Sequence, residues 1–299
     1  MERTWGETVK RKQTAVALGL FDGVHLGHRA VLKTACTQSE NGLIPAVFTF
    51  DPSSVAYKSG AGQGYIYGQK YKWKLLYECG IECFYSPPFE DLKSWSGESF
   101  VKRVLKQRFN AGFVCCGSDF RFGKGASCGV DELRKFGELY GFRVDVVSEV
   151  RCGDTVVSSS EIRRLLSEGS IEKANELLGR PYTVSGKIVD GNHIGRTIDF
   201  PTINQNFSSG QLVPAYGVYS AETVIDGEKF RAVTNIGVKP TISGERSPLA
   251  ETHILGFSGD LYGKELDVEL TGFIRHEKKF SSLDELKKQI LNDISAVNI

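Results

Sequence analysis

"GLFDGVHLGH", from Gly19 to His28, is the stretch on which the reading of the chain turns. Before it stands "TAVAL" (Thr14–Leu18), short, apolar and β-capable, and after it "RAVLKTAC" (Arg29–Cys36) has helical spacing. That order predicts a strand, a tight glycine turn and a helix start. His25 and His28, three residues apart, share one face of the first helical turn. The backbone N–H groups and the positive dipole end there favour an anion, and the glycines make phosphate the natural one. Gly19, Gly23 and Gly27 let a phosphate chain come close to the backbone, and Asp22 lies between them. The imidazoles can donate hydrogen bonds to charge developing on a transferring phosphoryl group. A lone histidine at a helix start is ordinarily a cap or a surface residue. The combination is what points to chemistry.

Outward from this motif, to about residue 150, apolar runs alternate with helical patterns. "IPAVFTF" (Ile44–Phe50), "IECFYS", "FVCCG" and "FRVDVVSEV" join the opening run, giving five expected strands. Helical segments such as "SGESFVKRVLKQRF" and "GVDELRKFGELYG" stand between them. This is the pattern of an open, mainly parallel α/β sheet of the Rossmann-like kind, covered on both faces. Ligands bind such sheets at the carboxyl ends of the strands, where the opening motif lies.

Two short helical patterns follow, "SSSEIRRLLSEG" (Ser158–Gly169) and "SIEKANELLG" (Ser170–Gly179), each opened by serine and stopped by glycine. "RPY" (Arg180–Tyr182) breaks the pattern, and the domain boundary is expected there, dividing residues 1–180 from 181–299. Beyond it the grammar is period-two: "TVSGKIVDG", "GVYSAETVIDG", "FRAVTNIG", "AETHILGF" and "LDVELTGFIR". These read as antiparallel strands, enough for a small closed barrel, with one helix at the end of the chain.

Composition excludes several classes. The 299 residues carry a formal net charge of +1, which gives no general attraction for nucleic acid or a membrane surface. "MERTWGETVKRKQ" lacks the apolar segment of a signal peptide, and no run reaches the length of a membrane span. Seven cysteines, an odd number without paired C-x-x-C spacing, argue for reduced thiols in a cytoplasmic protein. All lie at or before Cys152, which hints at two domains of different origin.

Two further stretches carry candidate chemistry. "CCGSDFRFGKG" (Cys115–Gly125) follows a strand and sets Asp119 and Arg121 beside Phe120 and Phe122, rings able to stack on a planar group. "SSSEIR" offers Ser159 and Arg163 near a helix start, suited to phosphate though also an ordinary cap with a solvated arginine. In the second half "GKIVDGNHIGRTIDFPTIN" (Gly186–Asn204) puts Thr202 and Asn204 on one side of an extended segment, able to meet one magnesium ion. Read alone it is a turn and an ordinary strand. Glu251 stands in the apolar strand "AETHI", where a carboxylate is commonly just solvent-facing.

In this order the motifs resemble the bacterial bifunctional riboflavin kinase/FMN adenylyltransferase family, also called FAD synthetases. The first half looks like its nucleotidyltransferase domain, on "GLFDGVHLGH", "GSDFRFG" and "SSSEIR"; the second resembles its kinase module over nearly its whole length, from "LLGRPY" through "FPTIN", "VTNIG" and "ETHI" to "FIRHEKKFSSLDELKKQI". The resemblance implies a six-stranded barrel, phosphorylation of riboflavin to FMN by ATP, and adenylylation of FMN to FAD with release of pyrophosphate. It implies Mg2+ with ATP, held by Thr202 and Asn204 near Gly186 and Gly191, and Glu251 as the base toward the riboflavin 5′-hydroxyl. Gly19, Phe21, Asp22 and Gly23 would meet ATP with His25 and His28, and Ser159 and Arg163 the pyrophosphate side. Asp119, Phe120, Arg121 and Phe122, and in the barrel Arg275 and Glu277, would lie near flavin. The partners implied are these small molecules, with flavin-dependent apoproteins as recipients and neither nucleic acid nor membrane.

Three stretches depart from the family pattern. "TFDPSS" (Thr49–Ser54) lacks the histidine of the usual TF-x-P-H-P segment, "GKGASCGVDEL" is looser than usual, and Asp199 stands where the family generally has glycine. Two other readings fit the same residues: one working half, most plausibly the kinase, or a flavin-binding protein without turnover.

Overall fold

The structure is a computed structural model and describes residues 12–55, 64–191, 199–240 and 246–297. Its described residues divide into two compact units, 12–55 with 65–159, and 64 with 160–297.

In the first unit β1 (Thr14–Leu18) runs into the opening motif and α1 (Leu26–Cys36), which returns the chain to β2 (Ile44–Phe48). Helix α2 (Gln69–Glu78) leads to β3 (Cys83–Tyr85); α3 (Phe89–Leu92), α4 (Gly97–Phe100) and a π-helical continuation over Val101–Arg108 lead to β4 (Ala111–Gly117). Helix α5 (Val130–Tyr140) then leads to β5 (Arg143–Val147). The five strands are those expected, and all neighbours pair parallel in the order β3-β2-β1-β4-β5. Every residue of β1 is buried, as a central strand covered on both faces requires. Val16, Leu18, Phe48, Val114 and Leu133 meet Leu105 and Phe109 in one apolar core. Strand order reverses between β1 and β4, so the loops leaving their carboxyl ends flank the crevice where such sheets bind ligands. Those loops are the opening motif and "GSDFRFG". A two-strand ribbon, β6 (Arg151–Cys152) and β7 (Thr155–Val156), follows.

The second unit begins inside α6 (Ser159–Ser167), continues through α7 (Ile171–Leu178) and closes a barrel of β8 (Tyr182–Val189), β9 (Ile203–Asn206), β10 (Gly217–Ile225), β11 (Glu228–Pro240), β12 (Arg246–Ile254) and β13 (Glu265–His276). All pairs are antiparallel, in the closed order β10-β11-β12-β9-β8-β13. The five alternating runs supply five strands; the sixth, β9, is only four residues long and comes from the "FPTIN" motif. Helix α7 is bonded to the barrel. Asn175 accepts the Tyr182 N–H at 2.7 Å and donates to the Leu270 carbonyl at 2.9 Å, while Glu172 accepts the Phe273 N–H at 3.0 Å. These bonds explain why compactness groups α7 with the barrel rather than dividing the chain at residue 180. The last helix, α8 (Leu283–Val297), packs on β10 and β11.

Candidate active sites

The turn after β1 is held in an uncommon shape. Phe21 (φ 49°), Gly23 (φ 83°) and Val24 (φ 43°) all have left-handed backbone, which non-glycine residues adopt only when the surroundings enforce it. Phe21 is buried with its ring over Gly19, where a Cβ would lie 3.2 Å from ring carbons. Asp22 is buried and its carboxylate accepts the Ile66 N–H at 2.8 Å, while its carbonyl accepts the Ser159 hydroxyl at 2.9 Å. Asp22 and Ser159 thus brace the turn.

His25 caps α1: its Nδ1 accepts the His28 N–H at 3.2 Å, which leaves the ring proton of the neutral form on Nε2. The two imidazoles stack at 3.6 Å between centroids and 17° between planes, with Phe21 edge-on to His28 at 5.3 Å. Gly27 makes room, since a Cβ there would lie 3.2 Å from the His25 ring. Two stacked imidazoles at a helix N-terminus, with no acid in the first turn, concentrate donors and positive potential for an anion.

The loop after β4 is divided. Phe122 is buried against Phe100 and Phe136 and pairs through its backbone with Cys128 in both directions at 3.0 Å. It anchors the loop in the core. Phe120 lies parallel to it at 5.7 Å and is only partly buried. Asp119 is exposed beside Gly117, and Arg121 is exposed beside Gly129 at the start of α5. Arg163 donates to the Ser160 hydroxyl at 3.3 Å one turn back on α6. In "TFDPSS", Asp51 caps a short 3-10 turn, accepting the Ser53 N–H at 2.9 Å and its hydroxyl at 2.8 Å. Ser53, where the family has its histidine, is thereby turned onto Asp51.

Lys72 escaped the sequence reading. It is 2% exposed on α2, and its ammonium donates to the Leu20 carbonyl and the Thr49 hydroxyl, both at 2.6 Å, and to the Phe50 carbonyl at 3.3 Å. The available signal was its spacing: Lys72 shares a helix face with the buried Leu75 and Leu76.

On the barrel, strand register brings Asn204, Glu251 and Asn235 directly opposite one another on β9, β12 and β11. Residues directly opposite share a face, and Ala250, Thr252 and Ile254 fill the interior, so this row lies on the outer wall. Thr202, two residues before Asn204, falls on the same side of the segment. Asn204 is 4% exposed, and its amide oxygen has no hydrogen-bond partner among the described residues. Its side chain lies against Gly191, where a Cβ would come within 2.3 Å. A buried, unpartnered carbonyl oxygen beside a hydroxyl and a carboxylate suits a hard divalent cation. Among the described residues no cluster of three histidine, cysteine or acidic groups forms a metal cage, so substrate oxygens or water would complete the coordination.

Other expected residues fall around this row. Gly186 is part of the wall, its carbonyl accepting from buried Gln205, and a Cβ there would meet nothing closer than 4.0 Å. Glu277 lies over Gly237 on β11, two residues from Asn235. Arg275 is clasped by buried Asp293 of α8 through bonds of 2.9 and 2.7 Å. Asp199 has φ 65°, which explains a glycine preference at its position; its side chain is 91% exposed and pairs with Lys287 at 3.7 Å. It faces solvent.

The family profile described as FAD synthetase matches residues 7–161 and the one described as riboflavin kinase matches residues 178–299. The chain is 35% identical over 282 residues to the bifunctional riboflavin kinase/FMN adenylyltransferase of Escherichia coli K12, covering 93% of this chain and 90% of that one. It is 34% identical to the enzyme of the same name from Bacillus subtilis, covering 95% and 91%. A crystal structure from Streptococcus pneumoniae titled a macrolide-efflux protein superposes with a TM-score of 0.83 at 28% identity, over 96% of this chain and 94% of that one. No helix among the described residues is long and apolar enough to cross a membrane.

Proposed function

The chain belongs to the family of bifunctional riboflavin kinase/FMN adenylyltransferases, and from that premise we propose which residues carry each step. The protein phosphorylates riboflavin to FMN with ATP and adenylylates FMN to FAD. We assign adenylyl transfer to residues 1–180 and the kinase to residues 181–299.

The observation that carries the kinase assignment is the row on the barrel wall, with the unpartnered Asn204 oxygen opposite the Glu251 carboxylate. Glu251 takes the proton of the riboflavin 5′-hydroxyl as that oxygen attacks the γ-phosphorus of ATP; the bond to the β-phosphate oxygen breaks and ADP leaves. Thr202 and Asn204 would hold a divalent metal, proposed to be Mg2+, which when bound neutralises phosphate charge. Gly191 leaves the Asn204 amide room beside it. Glu277 stands over Gly237 toward the flavin, and Arg275 acts through its clasp with Asp293.

In adenylyl transfer an FMN phosphate oxygen attacks the α-phosphorus of ATP and pyrophosphate leaves. The nucleophile is already ionised, so the chain supplies placement and charge stabilisation. His25 and His28 donate to the ATP phosphates from the start of α1, Gly19 and Gly23 admit them, and Phe21 and Asp22 keep the turn in shape. Ser159 and Arg163 serve the pyrophosphate side; Asp119, Phe120 and Arg121 receive FMN at the end of β4. Seven free thiols support a reducing, cytoplasmic setting, and flavin-dependent apoproteins are the proposed recipients, with no nucleic acid or membrane partner. Incubation with riboflavin, ATP and Mg2+, followed by separation of flavins, tests the assignment. FMN and FAD should both form; FMN alone would remove the first module from catalysis.

A further inference from the structure

Resting on the adenylyl-transfer reading of the first module, we propose that Lys72 is a positioning residue for that step. Its buried, charged ammonium fastens the start of the His25/His28 turn to the end of β2, behind the site where phosphates bind.

The geometry is specific. All three ammonium hydrogens are used: the Leu20 carbonyl opens the turn, and the Thr49 hydroxyl and Phe50 carbonyl end β2. The Thr49 hydroxyl itself donates to the Leu20 carbonyl at 2.8 Å, so both strand ends are tied at one point. The residues that follow Leu20 are the left-handed Phe21, Gly23 and Val24, a shape that relaxes unless something holds it.

A stabilising link between two strand ends does not need a charge. A neutral donor there would avoid the desolvation that burying an ammonium entails. All three acceptors of Lys72 are neutral oxygens, and the acids that face it through space are Asp22 on the turn and Asp51 after β2. Asp22 already accepts the Ile66 N–H and Asp51 caps its own turn. The charge is held at the carboxyl ends of β1 and β2, where this sheet receives its ligand, and it strengthens the ammonium's bonds to the turn. Burial pulls the ammonium pKa down to about 8, against the attraction of those two acids, so the charge is lost within reach of working pH.

The test uses the full chain with FMN, ATP and Mg2+. Lys72→Met keeps the length of the side chain and removes the charge and its donors. Its kcat for FAD formation should fall about a hundredfold or more, with KM values changed no more than about threefold. Riboflavin phosphorylation by the same preparation should be unchanged. Because every cysteine lies in the first unit, slow reaction of the buried Cys115 and Cys116 with a thiol reagent reports that this unit is folded. A folded Lys72→Met that makes FAD within about threefold of the parent rate overturns the proposal.

A second variant keeps the question decidable if Lys72→Met unfolds. FAD formation by the parent should decline as pH rises through about 8, where Lys72 loses its proton. Lys72→Arg stays charged there, and its profile should not share that decline. The same decline in Lys72→Arg overturns the proposal. A parent protein that forms no FAD at any pH fails the adenylyl-transfer reading itself, whereas failure of the variants beside an active parent removes Lys72 alone.

Discussion

Cys115 and Cys116 sit side by side on β4, both fully buried, and their thiols are held neutral by the surrounding apolar sheet. Desolvation raises the Cys115 thiol far above the ordinary range and Cys116 to about 12; Cys36 rises to about 11 by burial, with Cys79 and Glu82 adding to it. In the unfolded chain these thiols ionise near pH 9. Below that pH both states hold the proton, and the stability tied to it is fully present. Above it the unfolded chain loses protons that the folded unit keeps, so stability falls as pH rises from about 9 toward 12. Lys72, neutral in the folded unit above about 8, works in the opposite direction, and three thiols outweigh one lysine. The melting temperature of the first unit should be level to about pH 8 and fall beyond 9. Cys116→Ala should flatten that fall, and an unchanged slope would show that the thiols are not its cause.

At the scale of single elements, α8 is attached to the barrel through a buried clasp. Asp293 is 3% exposed and holds Arg275 in a two-point contact, with Gln289 also donating to it at 2.9 Å. Asp293→Ala leaves the arginine charge without its partner in a largely buried place, which costs on the order of 3 kcal/mol. The unfolding midpoint of the barrel unit should drop accordingly, and a double variant Arg275→Met with Asp293→Leu should recover most of the loss. No recovery in the double variant would assign the loss to something other than the charge. This clasp was not legible in the sequence: "ILNDIS" gives an acid on an amphipathic helix, and nothing local tells which acid is buried. Legible features had short-range causes. The β1–turn–α1 unit followed from periodicity and glycines, and the pairing of His25 with His28 from helical spacing. The packing of Phe122 was not legible because its neighbours Phe100 and Phe136 come from distant elements. Lys72 was missed for the same reason, since its acceptors arrive from two other strand ends. Asp199 was the converse. Its left-handed backbone, not its charge, accounts for the glycine of the family.

For the molecule as a whole, the proposed division at "RPY" leaves α7, which is bonded to the barrel, on the other side of the boundary. A fragment beginning at Arg180 loses Asn175, which serves both Tyr182 and Leu270, and Glu172, which serves Phe273. One beginning at Ser158 keeps α6 and α7. Both should phosphorylate riboflavin if they fold, and the longer fragment should melt several degrees higher, by roughly 4 °C for each kcal/mol retained in a unit of this size. Equal melting temperatures would mean that the two helices contribute nothing to the barrel.

Mixing two inactivated proteins tests whether one chain holds two independent catalytic sites. His28→Ala removes the imidazole proposed to donate to the phosphates and should still make FMN from riboflavin but little FAD, slower by about a hundredfold or more. Glu251→Gln keeps the shape and removes the proposed base, so it should make almost no FMN yet convert supplied FMN to FAD, a positioned base contributing roughly a hundred to ten-thousandfold to such a step. Given riboflavin, ATP and Mg2+, each variant alone should yield little FAD, and the two together should yield it at a rate approaching that of the parent protein, through FMN released by one and taken up by the other. A mixture that forms no FAD although the Glu251→Gln protein turns over supplied FMN, or a single substitution that removes both activities at once, would contradict the account.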